Sequence, residues 1–186
     1  MEDNQLVLSC LNGDQKACNE LFKRFAPGML SLCHRYLKNS AEAEDALQDG
    51  FIKVFQNLKN WNGTGPIAAW IRKIIINTCI TKLNSSYQLL TQFSGEGIPE
   101  LQIDPSVISQ LNYENLLELL KAMPIGYRTV FNLVVIEGYS YKEISSMLHI
   151  QESSCRSQLL KAKNYLAQKI TNHYPELKLK YEAKLD

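Results

Sequence analysis

The sequence predicts an all-α protein with two small helical domains. Apolar residues recur at helical spacing along most of its 186 residues, and no run of strict alternation is long enough to indicate a sheet. Glycine and proline interrupt this periodicity near the middle of the chain. We therefore expect helical domains over residues 1–84 and 116–172, joined by an acidic linker over 85–115 and followed by a tail over 173–186.

In the first domain, proline, serine and a loop mark the helix boundaries. Pro27 interrupts an apolar stripe and suits the first turn of a new helix. Ser40 can cap the next helix, whose acidic first turn suits the positive end of the helix dipole. The loop-like segment 61–66 then leads into a helix that runs towards Leu83. The apolar side chains on the expected helix faces include Ala17, Leu21, Phe22, Phe25, Leu30, Cys33, Tyr36, Ala43, Leu47, Phe51, Val54, Leu58, Ile71, Ile74 and Ile75.

The segment 85–115 has the composition of an acidic linker. Two glycines and two prolines break any long helix, and all of its charged residues are acidic. It also carries several leucines and isoleucines, of which a disordered linker is usually poor. We therefore expect it to lie on a surface of the protein.

The second domain carries the signals of a helix-turn-helix. Pro124 opens one helix, and Ser140 and Glu143 form a capping box at the start of another. That short helix turns at His149-Ile150, and a long helix restarts near Glu152. Two helices joined by so short a turn allow the second one to enter a DNA major groove. We expect a DNA-binding domain of the winged-helix-like or tetrahelical kind.

The near-neutral composition conceals a basic segment. Lysine and arginine number 20 against 19 acidic residues, which gives a net charge of +1. Over residues 140–170, however, there are five basic residues and two acidic ones. This local excess favours salt-dependent DNA binding, although a solvated helix face would show the same composition.

Several classes of protein find no support in the sequence. No apolar stretch approaches the ~20 residues of a membrane helix, and acidic residues stand where a signal peptide is basic. We therefore expect a cytoplasmic protein without membrane insertion. The five cysteines are widely spread without a Cys-x-x-Cys pair, which argues against a disulfide framework and a zinc site. No catalytic or phosphate-binding motif points to an enzyme, and we expect neither a metal nor a cofactor.

Two separate segments carry recognisable motifs. The first contains Gly13-Asp14, Ala43-Glu44-Asp45, Gln48-Asp49, Phe51-Ile52-Lys53-Val54-Phe55, Trp70-Ile71 and Asn77. The second contains Tyr127-Arg128, Gly138-Tyr139-Ser140, Glu143-Ile144, Leu148, Ile150, Ser154, Ser157 and Lys161-Ala162. In this order the segments resemble the extracytoplasmic-function group of sigma-70-type sigma factors, the subunits that direct bacterial RNA polymerase to promoters. The resemblance covers most of residues 10–170.

The resemblance implies that the helix over 41–58 docks on a coiled coil of the largest polymerase subunit. The matching positions are Asp45, Gln48, Asp49, Phe51 and Lys53. Asp45, Asp49 and Lys53 follow one another at i, i+4 and i+8, which places them along one helix flank. The alternative is that Asp49 and Lys53 merely form an intrahelical ion pair. The resemblance also implies an anti-sigma factor as a further partner.

The resemblance further implies that the loop Trp61–Gly65 and the following helix melt the minus-10 promoter element and hold an unpaired base. The matching positions are Trp61, Asn62, Arg72, Lys73 and Asn77. Trp61 can stack on a base while Asn62 binds its edge, or Trp61 only pins the loop. The family usually carries basic residues after Asn77, and this chain retains only Lys82 there.

The second helix of the helix-turn-helix is expected to read the minus-35 element of duplex DNA. The residues expected to face DNA are Ser153, Ser154, Arg156, Ser157, Gln158 and Lys161. Arg156 can either read guanine or hold a phosphate. Gln158 replaces a usual arginine and offers an amide that can read adenine. His149 replaces the usual turn glycine, and histidine is among the residues enriched at positive φ.

These observations leave three functions in competition. The first is a sigma factor, a non-enzymatic subunit that binds core RNA polymerase, recognises promoter DNA and helps to open it. The second is a sigma-like regulator that has lost promoter opening, which the loss of basic residues after Asn77 favours. The third is a stand-alone helix-turn-helix repressor, which leaves the motif over 41–58 unexplained.

Overall fold

The structure is a computed structural model that describes residues 2–87 and 113–173. These residues form helices joined by turns, and none of them lies in a β-strand, which confirms the all-α prediction. The chain divides into two compact units, Met1–Ser85 and Ser86–Asp186. Most of the predicted linker and tail lies outside the described residues. In the described parts of the chain, no helix is long and apolar enough to cross a membrane.

Within residues 2–87 the chain forms four α-helices. They are α1 (Asp3–Leu11), α2 (Gln15–Tyr36), α3 (Ser40–Asn57) and α4 (Ile67–Tyr87), with a 3₁₀ turn at Leu58–Asn60 after α3. Each helix contributes buried aliphatic side chains to the core, including Leu6, Leu21, Leu32, Val54, Ile67, Ile71 and Ile75. Burying one such side chain stabilises a fold by about 1.5–3 kcal/mol. This unit therefore has an apolar core of its own.

The helix α1 was not predicted from the sequence. Its nine residues bury only Leu6, Val7 and Cys10, and so short a segment does not establish a periodic pattern. Arg24 of α2 holds α1 from outside, because its guanidinium binds Asp3 at 2.9 Å while it also binds Glu20 at 3.1 Å. Tertiary contacts, rather than its own amphipathic pattern, account for this helix.

The prediction that Pro27 begins a new helix is wrong. The helix α2 is continuous, and Pro27 lies inside it. A proline in a helix interior removes a backbone hydrogen bond and costs about 3 kcal/mol. Leu21, Met29 and Leu32 are buried on either side of the proline, and their burial offsets this cost. Packing of α2 against the core therefore overrides the local signal.

Asn39, and not the predicted Ser40, caps α3. The side-chain oxygen of Asn39 accepts from the backbone N–H of Ala41 at 2.9 Å. Ser40 is the first helical residue, and its hydroxyl donates to the Glu44 carboxylate at 3.1 Å. Asparagine and serine are both strong caps, so adjacent candidates of these types are not separated by sequence alone.

Within residues 113–173 the chain forms four further α-helices. They are α5 (Tyr113–Ala122), α6 (Ile125–Phe131), α7 (Tyr141–Leu148) and α8 (Glu152–His173), with a π-helical turn at Asn132–Ile136 after α6. Arg128 of α6 is fully buried, and its Nη1 donates to the Lys121 carbonyl at 3.4 Å. The Tyr165 hydroxyl donates to the Ala122 carbonyl at 2.9 Å. These two bonds tie α6 and α8 to the end of α5.

The helices α7 and α8 form the predicted helix-turn-helix, and its local signals are confirmed. The Ser140 hydroxyl accepts from the Glu143 N–H at 3.3 Å, while the Glu143 carboxylate accepts from the Ser140 N–H at 2.9 Å. His149 adopts the left-handed conformation, with φ 55° and ψ 41°. This residue ends α7 and lets the chain turn into α8 at Glu152.

Candidate polymerase and nucleic-acid interfaces

The outer face of α3 brings together most of the residues predicted to bind polymerase. Asp45, Gln48, Asp49 and Lys53 are all exposed along this helix. Ile52 lies between them in the sequence and is 54% exposed, although the sequence did not single it out as a contact residue. The sequence does hold a signal for this exposure: Ile52 follows Asp49 by three residues and Gln48 by four, a spacing that places it on the same helix face as these polar residues. We call Asp45, Gln48, Asp49 and Ile52 the α3 face.

Phe51 lies in the core and does not fit the prediction that it contacts polymerase. Its side chain is only 2% exposed. Its ring packs edge-on against Phe22, with centroids 4.8 Å apart and an interplanar angle of 68°. Phe51 belongs to the apolar stripe that also carries Ala43, Leu47 and Val54. It positions α3 on α2 and is shielded from a partner.

Two side-chain contacts join α3 to α4. Asp49 accepts from the Lys82 ammonium at 2.8 Å, and the Lys53 ammonium donates to the Thr78 hydroxyl at 3.2 Å. The hydrogen bond with Asp49 raises the pKa of Lys82, and the charges of Asp49 and Asp45 act in the same direction. Asp49 thus pairs across the helices with Lys82, and the structure does not form the alternative Asp49–Lys53 pair within α3.

The close approach of α3 and α4 depends on a glycine. A Cβ at Gly50 would lie 2.3 Å from Cδ1 and 3.7 Å from the Cα of Ile75, a fully buried residue of α4. No side chain larger than hydrogen fits there unless Ile75 moves. Gly50 therefore sets the spacing at which the Asp49–Lys82 and Lys53–Thr78 contacts form.

The loop between α3 and α4 is held by its own side chains. The Asn62 side-chain oxygen accepts from the backbone N–H of Thr64 at 3.0 Å and also from the Thr64 hydroxyl. Gly63 and Gly65 have φ of 78° and 75°, which lets the chain turn on either side of Thr64. Trp61 is half-buried, and its indole N–H is buried without a hydrogen-bond partner among the described residues. This geometry favours the alternative in which Trp61 only pins the loop. The side-chain oxygen of Asn62 is already occupied by hydrogen bonds from Thr64.

A groove with several polar side chains runs between α3 and α4, with a volume of about 360 Å³. It is lined by Lys53, Asn57, Asn60, Trp70, Ile74, Asn77, Thr78 and Thr81. The sequence predicted only Asn77 of this set as a nucleic-acid contact, because Asn57 at the end of α3 and Asn60 in the following 3₁₀ turn meet it only in three dimensions. Lys73 is exposed one helical turn before Asn77, whereas Arg72 is half-buried. The groove offers amide and hydroxyl groups beside an indole ring and a cation.

The start of α8 exposes part of the predicted DNA-reading set. Ser153, Arg156 and Ser157 are exposed, and Ser154 is half-buried. The Arg156 guanidinium binds Glu152 at 3.2 Å and lies 5.2 Å from the centre of the Tyr141 ring. Arg156 is therefore held by a residue of its own helix and by a residue of α7.

Gln158 and Lys161 do not share this exposed face. A Cβ at Gly126 would lie 2.4 Å from Gln158 Oε1, so the Gln158 amide lies directly against α6. Lys161 is only 7% exposed. Both residues lie beside Cys155, Leu159 and Ala162, which form the buried side of α8. The predictions that Gln158 reads adenine and that Lys161 faces DNA do not fit these positions.

The sequence matches two families along its length. Sigma-70 region 2 matches residues 21–87, and sigma-70 region 4 matches residues 113–166. Together these matches cover more than half of the chain. The ECF RNA polymerase sigma-E factor of Haemophilus influenzae is 23% identical over an alignment that covers 91% of this chain and 96% of that protein. The ECF RNA polymerase sigma factor SigM of Mycobacterium tuberculosis is 24% identical over 165 residues, which cover 89% of this chain and 83% of that protein.

Solved structures share the fold. The sigma factor RpoE of Bartonella quintana, in complex with the anti-sigma factor NepR, aligns with a TM-score of 0.52 and 17% identity, over 84% of this chain and 97% of that chain. CnrH, in complex with the cytosolic domain of CnrY, aligns with a TM-score of 0.50 and 19% identity, over 92% and 98%. The chain belongs to the sigma-70 family of RNA polymerase sigma factors, in its extracytoplasmic-function group.

Proposed function

We propose that this protein is a sigma factor that binds core RNA polymerase and directs it to specific promoters. The observation that carries this proposal is the presence of sigma-70 regions 2 and 4 in one chain, in that order. A stand-alone repressor needs only the second of them. Proteins named ECF sigma factors are similar to this chain over more than four-fifths of both lengths. In this function the protein has no catalytic role of its own and works in the cytoplasm beside the polymerase.

The α3 face is the proposed docking surface for core polymerase. An exposed isoleucine one turn after an acidic and an amide side chain gives this face an apolar contact beside polar groups, as interface hot spots have. Asp49 is already fixed by Lys82, so less side-chain freedom is lost when a partner binds it. Asp45 and Asp49 make the face acidic, with Asp49 paired to Lys82, and this suits basic groups on the polymerase.

The groove between α3 and α4 is the proposed site for the melted minus-10 strand. Single-stranded nucleic acid is held by stacking on aromatic rings and by cations along its backbone. In the groove, Trp70 supplies an aromatic ring and Lys53 a cation. The amides that can hydrogen-bond base edges are Asn57, Asn60 and Asn77. Lys73 lies exposed one turn from Asn77, where it can meet a phosphate.

The exposed start of α8 is the proposed reader of the minus-35 element. Recognition helices of helix-turn-helix proteins contact base edges with residues of their first turns. Ser153, Arg156 and Ser157 occupy this position in α8. Their contacts are proposed to be to duplex DNA, with Arg156 supplying the charged one.

An anti-sigma factor is the proposed regulator. The structures of RpoE and CnrH that share this fold are both complexes, and the RpoE partner is named as an anti-sigma factor. The partner would compete with polymerase if it covered the α3 face. Co-purification of the chain with an anti-sigma candidate, followed by loss of the complex on substitution of Ile52, tests this assignment.

One observation favours the second candidate, a sigma-like regulator that binds polymerase without opening promoters. Lys82, which alone remains of the basic residues usual after Asn77, is bound to Asp49. This ion pair reduces the positive charge available to DNA at that end of α4. The two candidates differ in whether the holoenzyme initiates transcription.

Run-off transcription with purified core polymerase and genomic fragments separates the candidates. A sigma factor gives discrete transcripts that require this chain. Tight polymerase binding without transcripts identifies the sigma-like regulator, and DNA binding without polymerase binding identifies a repressor. An Ile52→Glu variant in the same assay should lose both polymerase binding and transcripts while keeping its helical content.

A further inference from the structure

Two cysteines that are distant in the sequence meet in the core of the first unit. The Sγ atoms of Cys33 in α2 and Cys79 in α4 lie 3.7 Å apart, although 46 positions separate the residues. Both thiols are fully buried. From the sequence alone, both cysteines are predicted only to be small buried apolar residues, because no Cys-x-x-Cys spacing indicates a pair. Their juxtaposition exists only in the folded chain.

The two sulfurs are in contact but are not bonded. A disulfide needs a sulfur–sulfur distance of about 2.05 Å, so the two Sγ atoms must approach by roughly 1.7 Å. Rotation about the two Cα–Cβ bonds moves Sγ atoms by such distances. Cys155 offers a contrast, since it is equally buried and lies in the other unit.

The pair is also polarised in a way that prepares one thiol for reaction. The Cys79 S–H donates to the Cys33 sulfur. This hydrogen bond lowers the pKa of Cys33, which the positive charge of Arg35 lowers further, and it raises the pKa of Cys79. Because the thiolate is the nucleophile, Cys33 is the attacking sulfur and Cys79 the resolving one.

We propose that Cys33 and Cys79 are a peroxide-responsive site that forms a reversible disulfide between α2 and α4. The Cys33 thiolate attacks one oxygen of hydrogen peroxide, the O–O bond breaks, and Cys33 becomes a sulfenic acid, while the departing hydroxide takes up the proton released by the Cys33 thiol and leaves as water. The Cys79 thiol then attacks the Cys33 sulfur, the S–O bond breaks, and a second water leaves. The two thiols lose two electrons and two protons in total, and the peroxide takes up both.

Burial sets the rate of this reaction. Hydrogen peroxide is small and uncharged, but it reaches a fully buried pair only when the helices open locally. The disulfide should therefore form more slowly than an oxidation product of a surface thiol. The link would act on α4 beside Thr78, which binds Lys53, and one turn before Lys82, which binds Asp49.

The test is peptide mapping of the whole, folded chain. The reduced protein is treated with hydrogen peroxide over a time course, unfolded, alkylated with iodoacetamide and digested, with and without dithiothreitol. We expect a peptide pair that joins Cys33 to Cys79, that increases with time and that dithiothreitol removes. Cys33→Ala and Cys79→Ala should each abolish this pair, whereas Cys155→Ala, which removes a thiol in the other unit, should leave it unchanged.

Other products overturn the proposal. A link confined to Cys10 and Cys18, whose thiols lie side by side between α1 and α2, would show that accessibility and not the buried pair decides the chemistry. Sulfinic acid at Cys33 without a link, or two unchanged thiols after prolonged treatment, would also contradict it. The mapping of the wild-type chain is decisive even if an alanine variant fails to fold, and the same treatment in denaturant should lose the preference for this pair.

Discussion

Ile52 is the large exposed apolar side chain of the α3 face and lies at the C-terminal end of that face. We expect Ile52→Ala to weaken binding to core polymerase by about tenfold, because a desolvated isoleucine in an interface contributes on the order of 1–2 kcal/mol. Its exposure predicts a change in the free energy of unfolding of no more than about 0.5 kcal/mol. Fluorescence anisotropy with labelled protein and purified core polymerase measures the affinity.

Leu8→Ala is the matched control for this substitution. Leu8 is an exposed apolar residue of α1, 60% accessible, and lies outside the α3 face. Its removal should leave polymerase affinity unchanged. Equal losses for both variants would show that general surface hydrophobicity, and not the α3 face, determines binding.

Gly50 is the residue at which the contact between α3 and α4 is tightest. We expect Gly50→Ala to destabilise the first unit by about 1–3 kcal/mol, since the new methyl group overlaps the buried Ile75 side chain. The midpoint of urea unfolding, followed by circular dichroism, measures the change.

Gly28→Ala is the control for Gly50→Ala. Gly28 also lies inside a helix, but a Cβ there meets no atom within 4 Å. Alanine at that position should stabilise α2 by about 0.5–1 kcal/mol through helix propensity. The two substitutions are chemically identical, so a common sign would contradict the assigned packing at Gly50.

At the scale of the element, the turn between α7 and α8 stores backbone strain at His149. The left-handed conformation costs a residue with a side chain about 1–2 kcal/mol of conformational energy, whereas it costs glycine little. We expect His149→Gly to raise the free energy of unfolding of the second unit by about 1 kcal/mol. Urea titration of the full chain, with a probe specific for this unit, measures the effect.

Gly138→Ala provides the opposite case. Gly138 has φ 75° and precedes the capping box of α7. Alanine should destabilise this turn by about 1 kcal/mol. If His149→Gly gave no gain while Gly138→Ala gave the expected loss, contacts of the imidazole would have to compensate for the strain.

The helix α8 presents a single exposed arginine at its start. We expect Arg156→Ala to weaken binding to a promoter duplex by about five- to tenfold and to lower the slope of log affinity against log salt by about one. Arg156→Lys keeps the charge but loses the guanidinium fork, so it separates the two roles left open by the sequence. Affinity retained by lysine indicates a phosphate contact, and affinity lost indicates that guanine is read. Unchanged values for Arg156→Ala would remove Arg156 from the interface.

The same two elements show which signals the sequence holds. The capping box and the turn at His149 were predicted because they depend on residues within a few positions of each other. The packing of Gln158 on Gly126 was not, because it depends on where α6 lies, and the burial of Lys161 likewise depends on the tertiary packing of α8. Pro27 was misread for the same reason, since the packing that keeps α2 continuous comes from other helices.

At the scale of the whole molecule, the net charge of +1 limits DNA binding by the chain alone. Few phosphate contacts give weak binding that responds only modestly to salt. We expect the free chain to bind promoter duplexes with a Kd of about 10⁻⁴–10⁻⁶ M at physiological salt, and core polymerase to tighten this by at least about a hundredfold. Mobility-shift titrations with and without core polymerase make the comparison. Nanomolar binding by the free chain would contradict the expectation that core polymerase is needed for tight promoter binding.

At this scale, the features that could not be predicted from the sequence are contacts between different helices. Fold class and the helix-turn-helix follow from periodicity and local capping signals, whereas three of the α3-face residues follow only from the family resemblance. The Asp49–Lys82 ion pair, the amide-lined groove and the meeting of Cys33 with Cys79 join residues of different helices. Periodicity gives the face of each helix but not the neighbour that this face meets.

The clasp that Glu152 and Tyr141 form around Arg156 has a consequence for the search along DNA. Ordering a long side chain costs about 1.5–2 kcal/mol of rotamer entropy, and in this chain part of that loss occurs on folding and not on binding. A phosphate must also displace the Glu152 carboxylate, whose negative charge repels it. In the proposed contact, Arg156 therefore adds little binding free energy on random DNA. On a site that contacts the whole of α8, it adds a contact whose side chain is already oriented. For the proposed contact of Arg156 with DNA, we expect these two interactions to shorten the residence time on wrong sequences.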